Sequence, residues 1–402
     1  MAFIYEIDGN ILFSDLTPEP IGLADCFVSM VIENDYDNNV FPVIRLKLRL
    51  NAVAITRIQN DDNAKLNISL KKTILTEDMN NSVYNYHFKN ENFLFIDKDE
   101  IPLAEELTDK SSSLFDIEFK IISETDLINN KKIVNGNLID TDIEGAIQFL
   151  TSKMSNKPIV FEPPNNAKIY DQIILPPNNI IRSVKYIDTV YGIYKNGTRI
   201  FFDIPAYYIM NKLGNKDLPT LKDNFKNTQI SIYFDDDANS AFNGIDDSED
   251  GEGAYYRGFA NISDVAIVNY SNSKSEFIGS DCVVMGQNID GTYKNKFNTS
   301  ENHTKTRIFQ NRYNNKMKEI EIIERGLKGN FIKISLENMD LSGLACDKNF
   351  ILTFYNKLYA KFNGLYHIMK VTTILEGLAG SSQPRATATS MLYLIKVETD
   401  KG

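Results

Sequence analysis

The chain contains no tryptophan, and only three cysteines and three histidines among its 402 residues. Without tryptophan the preferred side chain for stacking on sugar rings is missing, which weighs against a carbohydrate-reading surface despite 20 tyrosines and 24 phenylalanines. Cys26, Cys282 and Cys346 match neither a disulfide framework nor a CxxC metal site, and read as small core residues. His87, His303 and His367 are isolated from one another, and the first and last sit in strand-like runs where a structural histidine is expected. There is no Walker loop, no HExxH, no zinc spacing and no GxSxG elbow. No apolar run approaches the roughly 18 residues of a membrane span. The start, Met1-Ala-Phe-Ile-Tyr-Glu-Ile-Asp8, lacks the basic and apolar regions of a signal peptide. Positive charge is also in deficit, with 43 Lys and Arg against 54 Asp and Glu and a net charge of −11. A surface this acidic disfavours adhesion to nucleic acid, which leaves open a protein that DNA slides past without sticking.

What the chain has instead is alternation. In Val43-Ile-Arg-Leu-Lys-Leu-Arg-Leu50, Ile44, Leu46, Leu48 and Leu50 face one way and Arg45, Lys47 and Arg49 the other, a half-buried strand. Cys26–Ile32, Leu66–Lys71, Tyr84–Lys89, Phe93–Ile96 and Leu114–Ile122 read the same way, and Val53–Ile58 repeats the pattern more weakly. Residues 97–113 form a polar connection. Residues 1–123 are therefore expected to be a β-barrel or sandwich domain.

From 124 to 213 the period changes to an α/β mixture. Ile143, Ala146, Ile147, Leu150 and Met154 have helical spacing, with Thr141 and Glu144 in capping-box position. Ile180–Thr189 predicts a second helix. Tyr191–Asp203 has the form of a hairpin around Asn196-Gly197, and Pro205–Leu213 that of a short helix. Residues 214–402 form a second β region, with an insertion over about 235–325 and a long helix over about 301–325. Its acidic stretch, 235–252, fails as a calcium loop in both registers: Ser240 stands where glycine is needed, and Arg257 where a bidentate glutamate is needed. Gly251 and Gly253 are followed by Tyr256 where a dinucleotide loop wants glycine.

The C-terminal stretch carries short β-branched and aromatic runs between polar turns: Gly329-Asn-Phe-Ile-Lys-Ile-Ser-Leu336, the turn Asn338-Met-Asp-Leu-Ser-Gly343, the apolar run 350–354, Asn363-Gly-Leu-Tyr-His-Ile-Met-Lys-Val371 and Tyr393-Leu-Ile-Lys396. With Leu175-Pro-Pro177, Tyr191-Gly-Ile-Tyr-Lys-Asn-Gly197 and Phe202-Asp203, this layout resembles the tail hub proteins of contractile-tailed bacteriophages, the family of the T-even phage baseplate hub. The resemblance implies an α+β, predominantly β chain of two tube-like β-barrel domains, an α/β middle region and an inserted acidic loop region. It implies a homotrimeric, pseudo-hexameric ring in the virion tail baseplate, assembled in the host cytoplasm. One side of the ring would join the tail tube protein, the other the central spike or needle, with baseplate wedge proteins as further neighbours and DNA passing through. Such a protein is not an enzyme; no catalytic, cofactor-binding or metal-ligating residue is assigned, and no cofactor, specific nucleic-acid binding or membrane insertion is expected. The competing classes are a host-recognition or carbohydrate-binding protein of the virion and a tail-associated peptidoglycan hydrolase.

Overall fold

The alternating N-terminal third becomes seven strands in the computed structural model, which describes residues 2–14, 19–36, 38–75, 83–98, 113–154, 157–194 and 197–211, then separate strands and one short turn between 228 and 396. These seven are β1 (Ala2–Leu12), β2 (Ile21–Gly22), β3 (Phe27–Asp35), β4 (Val43–Asn51), β5 (Lys65–Leu75), β6 (Val83–Ile96) and β7 (Leu114–Ser123). The middle region supplies β8 (Ile133–Thr141), β9 (Ile159–Phe161), β10 (Tyr170–Asn179), β11 (Thr198–Phe202) and β12 (Tyr207–Asn211). Beyond it lie β13 (Thr228–Ile232), β14 (Gly244–Asp247), β15 (Ala254–Arg257), β16 (Ala266–Asn269), β17 (Asp281–Gln287), β18 (Tyr293–Asn295) and β19 (His303–Thr306). The last four are β20 (Asn330–Glu337), β21 (Asn349–Phe354), β22 (Gly364–Gly377) and β23 (Arg385–Lys396). The helices are α1 (Ala52–Asn60), α2 (Glu124–Lys131), α3 (Ile143–Thr151) and α4 (Ile180–Val190). The fold is predominantly β with a few short helices, as expected.

An eight-stranded antiparallel barrel lies at its centre. Its order is β22-β3-β4-β7-β6-β5-β1-β23, and β23 pairs back to β22 to close the ring. Six strands come from the first 123 residues and two from the C-terminal stretch. The inward faces follow the period of two: Ile44, Leu46, Leu48 and Leu50 of β4 are buried, as are Leu66, Ile68 and Leu70 of β5, Ile117, Phe119 and Ile121 of β7, and Ala386, Ala388, Leu392 and Leu394 of β23. Each large side chain so buried contributes about 1.5–3 kcal/mol, so the interior is the main source of stability. The outer faces carry cross-strand ion pairs, Arg49 to Asp116 (2.7 Å) and Lys71 to Glu6 (2.9 Å) among them. Exposed pairs of this kind add little beyond solvation.

The closing strands β22 and β23 belong to two sheets at once. Gly364–His367 of β22 pair with β21, whereas Lys370–Glu376 pair with β3. In β23, Arg385 and Ala386 pair with β1, and Thr389–Ile395 with β20. From these strands a second sheet runs outward, β14-β15-β13-β21 beyond β22 and β20-β16 beyond β23.

The middle region forms a bracket on the barrel. β8 and β10 make an antiparallel ribbon, and α3 and α4 pack with it around Ile143, Ile147, Ile173, Ile180 and Ile187. β11 and β12 pair antiparallel and β12 pairs parallel with β9. Phe201, Tyr208 and Met210 face the barrel core while Ile200, Phe202, Tyr207 and Ile209 face the bracket's own.

Several expectations are corrected. Val53–Ile58 is helix: the Asn51 side chain accepts from the Ala54 N–H (2.9 Å), which starts α1 and buries Ala52, Ile55 and Ile58 along one face. α3 begins on Asp142, whose carboxylate accepts from Gly145 N–H (2.8 Å), in place of Thr141. Residues 198–202 pair forward with 207–211 through the turn Asp203–Ala206, closed by Asp203 N–H to Ala206 O (3.0 Å), and make no hairpin about Asn196-Gly197. Pro205–Leu213 is accordingly no helix, because Tyr207–Asn211 is a strand buried on both faces. His303–Thr306 is strand where the long helix was expected to begin, and 307–329 lies outside the described residues. Of the acidic stretch 235–252, Gly244–Asp247 is strand and the rest lies outside the described residues, as do Gly251 and Gly253.

A chain ending at residue 361 lacks β22 and β23 and leaves β3 and β1 as open edges. Near-UV circular dichroism of that fragment is expected to lack the native signal, whereas a native-like spectrum would show that the six N-terminal strands close alone.

Candidate functional site

Two buried polar seams lie between the bracket and the barrel. In the first, Ser123 ends β7 and caps α2, accepting from Asp126 N–H (3.2 Å), which turns Asp126 and Asn129 inward. Lys157, from the loop before β9, inserts its ammonium between Asp126 Oδ1 (2.7 Å) and Glu91 Oε1 (3.1 Å) and donates to Ser123 Oγ (3.2 Å). The Tyr207 hydroxyl donates to Asp126 (2.8 Å) and accepts from Asn129 Nδ2 (2.9 Å). Burial works to raise the Asp126 carboxyl, while Lys157 and Tyr207 pull it down. The seam consumes its own charges.

The second seam lies where β22 changes partners. Between Ile368 and Lys370 its register to β23 slips, a bulge that leaves carbonyls without ladder partners. Arg199 of β11 donates to Ile368 O (3.0 Å), and Tyr36 N–H to Met369 O (3.0 Å). The same guanidinium nitrogen lies 2.9 Å from His367 Nε2. Because arginine only donates, that nitrogen is the acceptor and the imidazole carries its proton on Nδ1. Burial and then the Arg199 charge hold His367 well below the usual histidine range, so it stays neutral. Nearby, Tyr36 donates to Leu344 O (3.2 Å) and Asn34 Nδ2 reaches the Tyr36 oxygen (3.3 Å) and Asp203 Oδ2 (3.5 Å). Burial pushes Asp203 up to about 7.

His367 thus holds the structural role expected for it. His87 lies half-buried at a cavity beside Asp203, and His303 falls in β19. The structure does not bring His87 and His367 into one group. Cys26 and Cys346 are buried and unlinked, and burial pushes the Cys26 thiol up to about 12; Cys282 falls in β17. Among the described residues no group of three His, Cys, Asp or Glu could hold a metal. Asn34, Asp126 and Arg199 are assigned no site role from the sequence; Lys157 is expected there only near the end of the helix that begins at Ile143, and Asp203 only as part of Phe202-Asp203 in the resemblance. The available signal was a charge embedded in an apolar run, Arg199 before Ile-Phe-Phe and Asp203 between Phe202 and Ile204. As geometry, the seams lock three parts of the chain together through Lys157, Arg199 and Tyr36.

A family model described as the Bacteriophage PBS1 gene 109 protein matches residues 1–397. No curated protein matches in a sequence search. Among solved structures, the chain is similar to a tail protein from Neisseria meningitidis MC58, with 9% identity, 98% of this chain and 96% of that chain covered, and a TM-score of 0.47. It is also similar to the 43 kDa tail protein of prophage MuSo2 from Shewanella oneidensis, at 6% identity, 97% and 96% coverage and a TM-score of 0.49. A third is the E. coli c3393 protein, a component of the type VI secretion system, at 7% identity, 96% and 77% coverage and a TM-score of 0.39.

Three outcomes check the seams. Lys157→Met leaves Asp126 and Glu91 buried without their cation and is expected to cost about 3–5 kcal/mol in urea unfolding. A loss below ~1 kcal/mol would mean that the ion pairs matter little. For Asp203 the folded value of about 7 exceeds the unfolded one. Its contribution is therefore complete below about pH 4 and lost as pH rises through 7, by up to ~4 kcal/mol. The stability difference between wild type and Asp203→Asn should fall over that window; a flat difference contradicts the shift. His367 acts oppositely, weakening the fold as pH drops below about 6.5, where the unfolded histidine takes a proton.

Proposed function

The chain belongs to the family of the Bacteriophage PBS1 gene 109 protein, and on that premise we propose that it is the baseplate hub of a phage tail. Three copies would form a ring of pseudo-sixfold symmetry that joins the tail tube to the central spike in the virion tail, after assembly in the host cytoplasm. The observation that carries this reading is the pair β22–β23, which closes the barrel and continues into the second sheet. One chain therefore presents two β units fused side by side through shared strands, and three such chains present six, the number a hexameric tube requires.

In this reading residues 1–123, with the closing strands, are the first tube-like element. Residues 124–213 are the bracket, and 214–402 the second element with its insertion at 235–325. The role is structural, not catalytic: Lys157 and Arg199 tie the bracket to the barrel through ion pairs and hydrogen bonds, and rigidity is what a force-bearing adaptor needs. A net charge of −11 suits a ring through which DNA passes without adhering.

Light scattering of the purified chain, followed by electron microscopy, tests the proposal. A particle of three chains with an axial channel is expected. A monomer at micromolar concentration, with a deep carboxylate-lined groove, would overturn the hub reading, and a basic inner wall would overturn the part about DNA.

A further inference from the structure

A cavity of about 240 Å³ lies at the mouth of the eight-stranded barrel. Ile32 and Val371 form its barrel side, Ile204 and Pro205 the turn side, and Leu341 and Leu344 a third wall. Barrel mouths with mostly apolar walls and a few convergent polar groups are a common form of ligand site.

One acceptor in this cavity has no donor and a second has only a long one. Asn34 is 9% exposed, and its Oδ1 receives no hydrogen bond. Asp203 is 6% exposed; its Oδ1 accepts from Ile204 N–H at 2.8 Å, but its Oδ2 has only the Asn34 amide at 3.5 Å. Such groups are costly to bury unpaired. Among the described residues no lysine or arginine forms an ion pair with Asp203, and the nearby Arg199 is turned to His367 and Ile368. Burial pushes Asp203 up to about 7, with the Asp126 charge adding to the rise and the Lys157 charge and the Ile204 N–H opposing it. A guanidinium would want both carboxylate oxygens, and one is already taken. A compact ammonium can donate to Asp203 Oδ2 and Asn34 Oδ1 together.

We propose that this cavity binds a primary alkylammonium, its head group hydrogen-bonded to Asp203 Oδ2 and Asn34 Oδ1 and its methylenes packed on Ile204, Pro205, Leu341 and Val371. The site does not depend on the hub reading. The ammonium can arrive as a free diamine or as a lysine side chain of another protein.

Calorimetric titration of the full chain at pH 8 and near-physiological salt separates these. The probes are 1,4-diaminobutane, Nα-acetyl-lysine methylamide and the neutral control 1-butanol. At least one amine is expected to bind tenfold or more tightly than 1-butanol, and Asp203→Asn to weaken that amine at least tenfold. Preference for the diamine identifies a free cation, and preference for the lysine derivative a protein side chain. Absence of amine binding at millimolar concentration, equal binding of 1-butanol, or undiminished binding to Asp203→Asn overturns the proposal. The amine–alcohol comparison needs no variant, so it decides the matter even if Asp203→Asn fails to fold.

Discussion

The structure depends on the change of partner halfway along β22. A strand has two edges, and β22 gives one to β23 while dividing the other between β21 and β3. This is possible because it runs 14 residues, well over the ~5–6 usual for a strand. The exchange costs ladder bonds at Ile368 and Met369, and the Arg199 side chain and Tyr36 N–H replace them. Arg199 thus joins the bracket to a point on β22 where barrel and second sheet meet.

That junction explains why the buried polar groups are where they are. An apolar bracket could slide on an apolar barrel, since hydrophobic contact has no direction. Each seam instead places a donor where one arrangement satisfies it: Lys157 among Asp126, Glu91 and Ser123, and Arg199 against the bulged strand. Desolvation offsets much of the Coulombic gain in such pairs. Their effect is on geometry more than on net stability: they fix how the bracket sits on the barrel.

Closure by the last strands also bears on folding. β1 and β3 find their final partners more than 300 residues away in sequence, at Arg385–Ala386 and Lys370–Glu376. Long-range pairing of this kind is slow, because loop-closure entropy must be overcome before the contacts form. The N-terminal strands carry charged outer faces, with Lys47, Arg49, Lys71 and Glu6 in cross-strand pairs, which keeps them solvated meanwhile.

By itself the sequence determined the strands with one wet face. Ile44, Leu46, Leu48 and Leu50 could be assigned inward because Arg45, Lys47 and Arg49 alternate with them, and the period of two is a property of the chain. α4 was legible for the same kind of reason, as Ile180, Ile181, Val184 and Ile187 recur at helical spacing. Where both faces are dry the signal vanishes: Tyr207–Met210 is apolar throughout because β12 lies between two cores, and after Pro205 such a run reads as a helix. The Asn51 cap was hidden because asparagine also suits a turn. Only the tertiary structure decided that the C-terminal hairpin closes the N-terminal barrel, and that Asn34 and Asp203 meet at its mouth. Both are contacts between segments 169 residues or more apart, set by which strand edges remain free, and no local pattern records them.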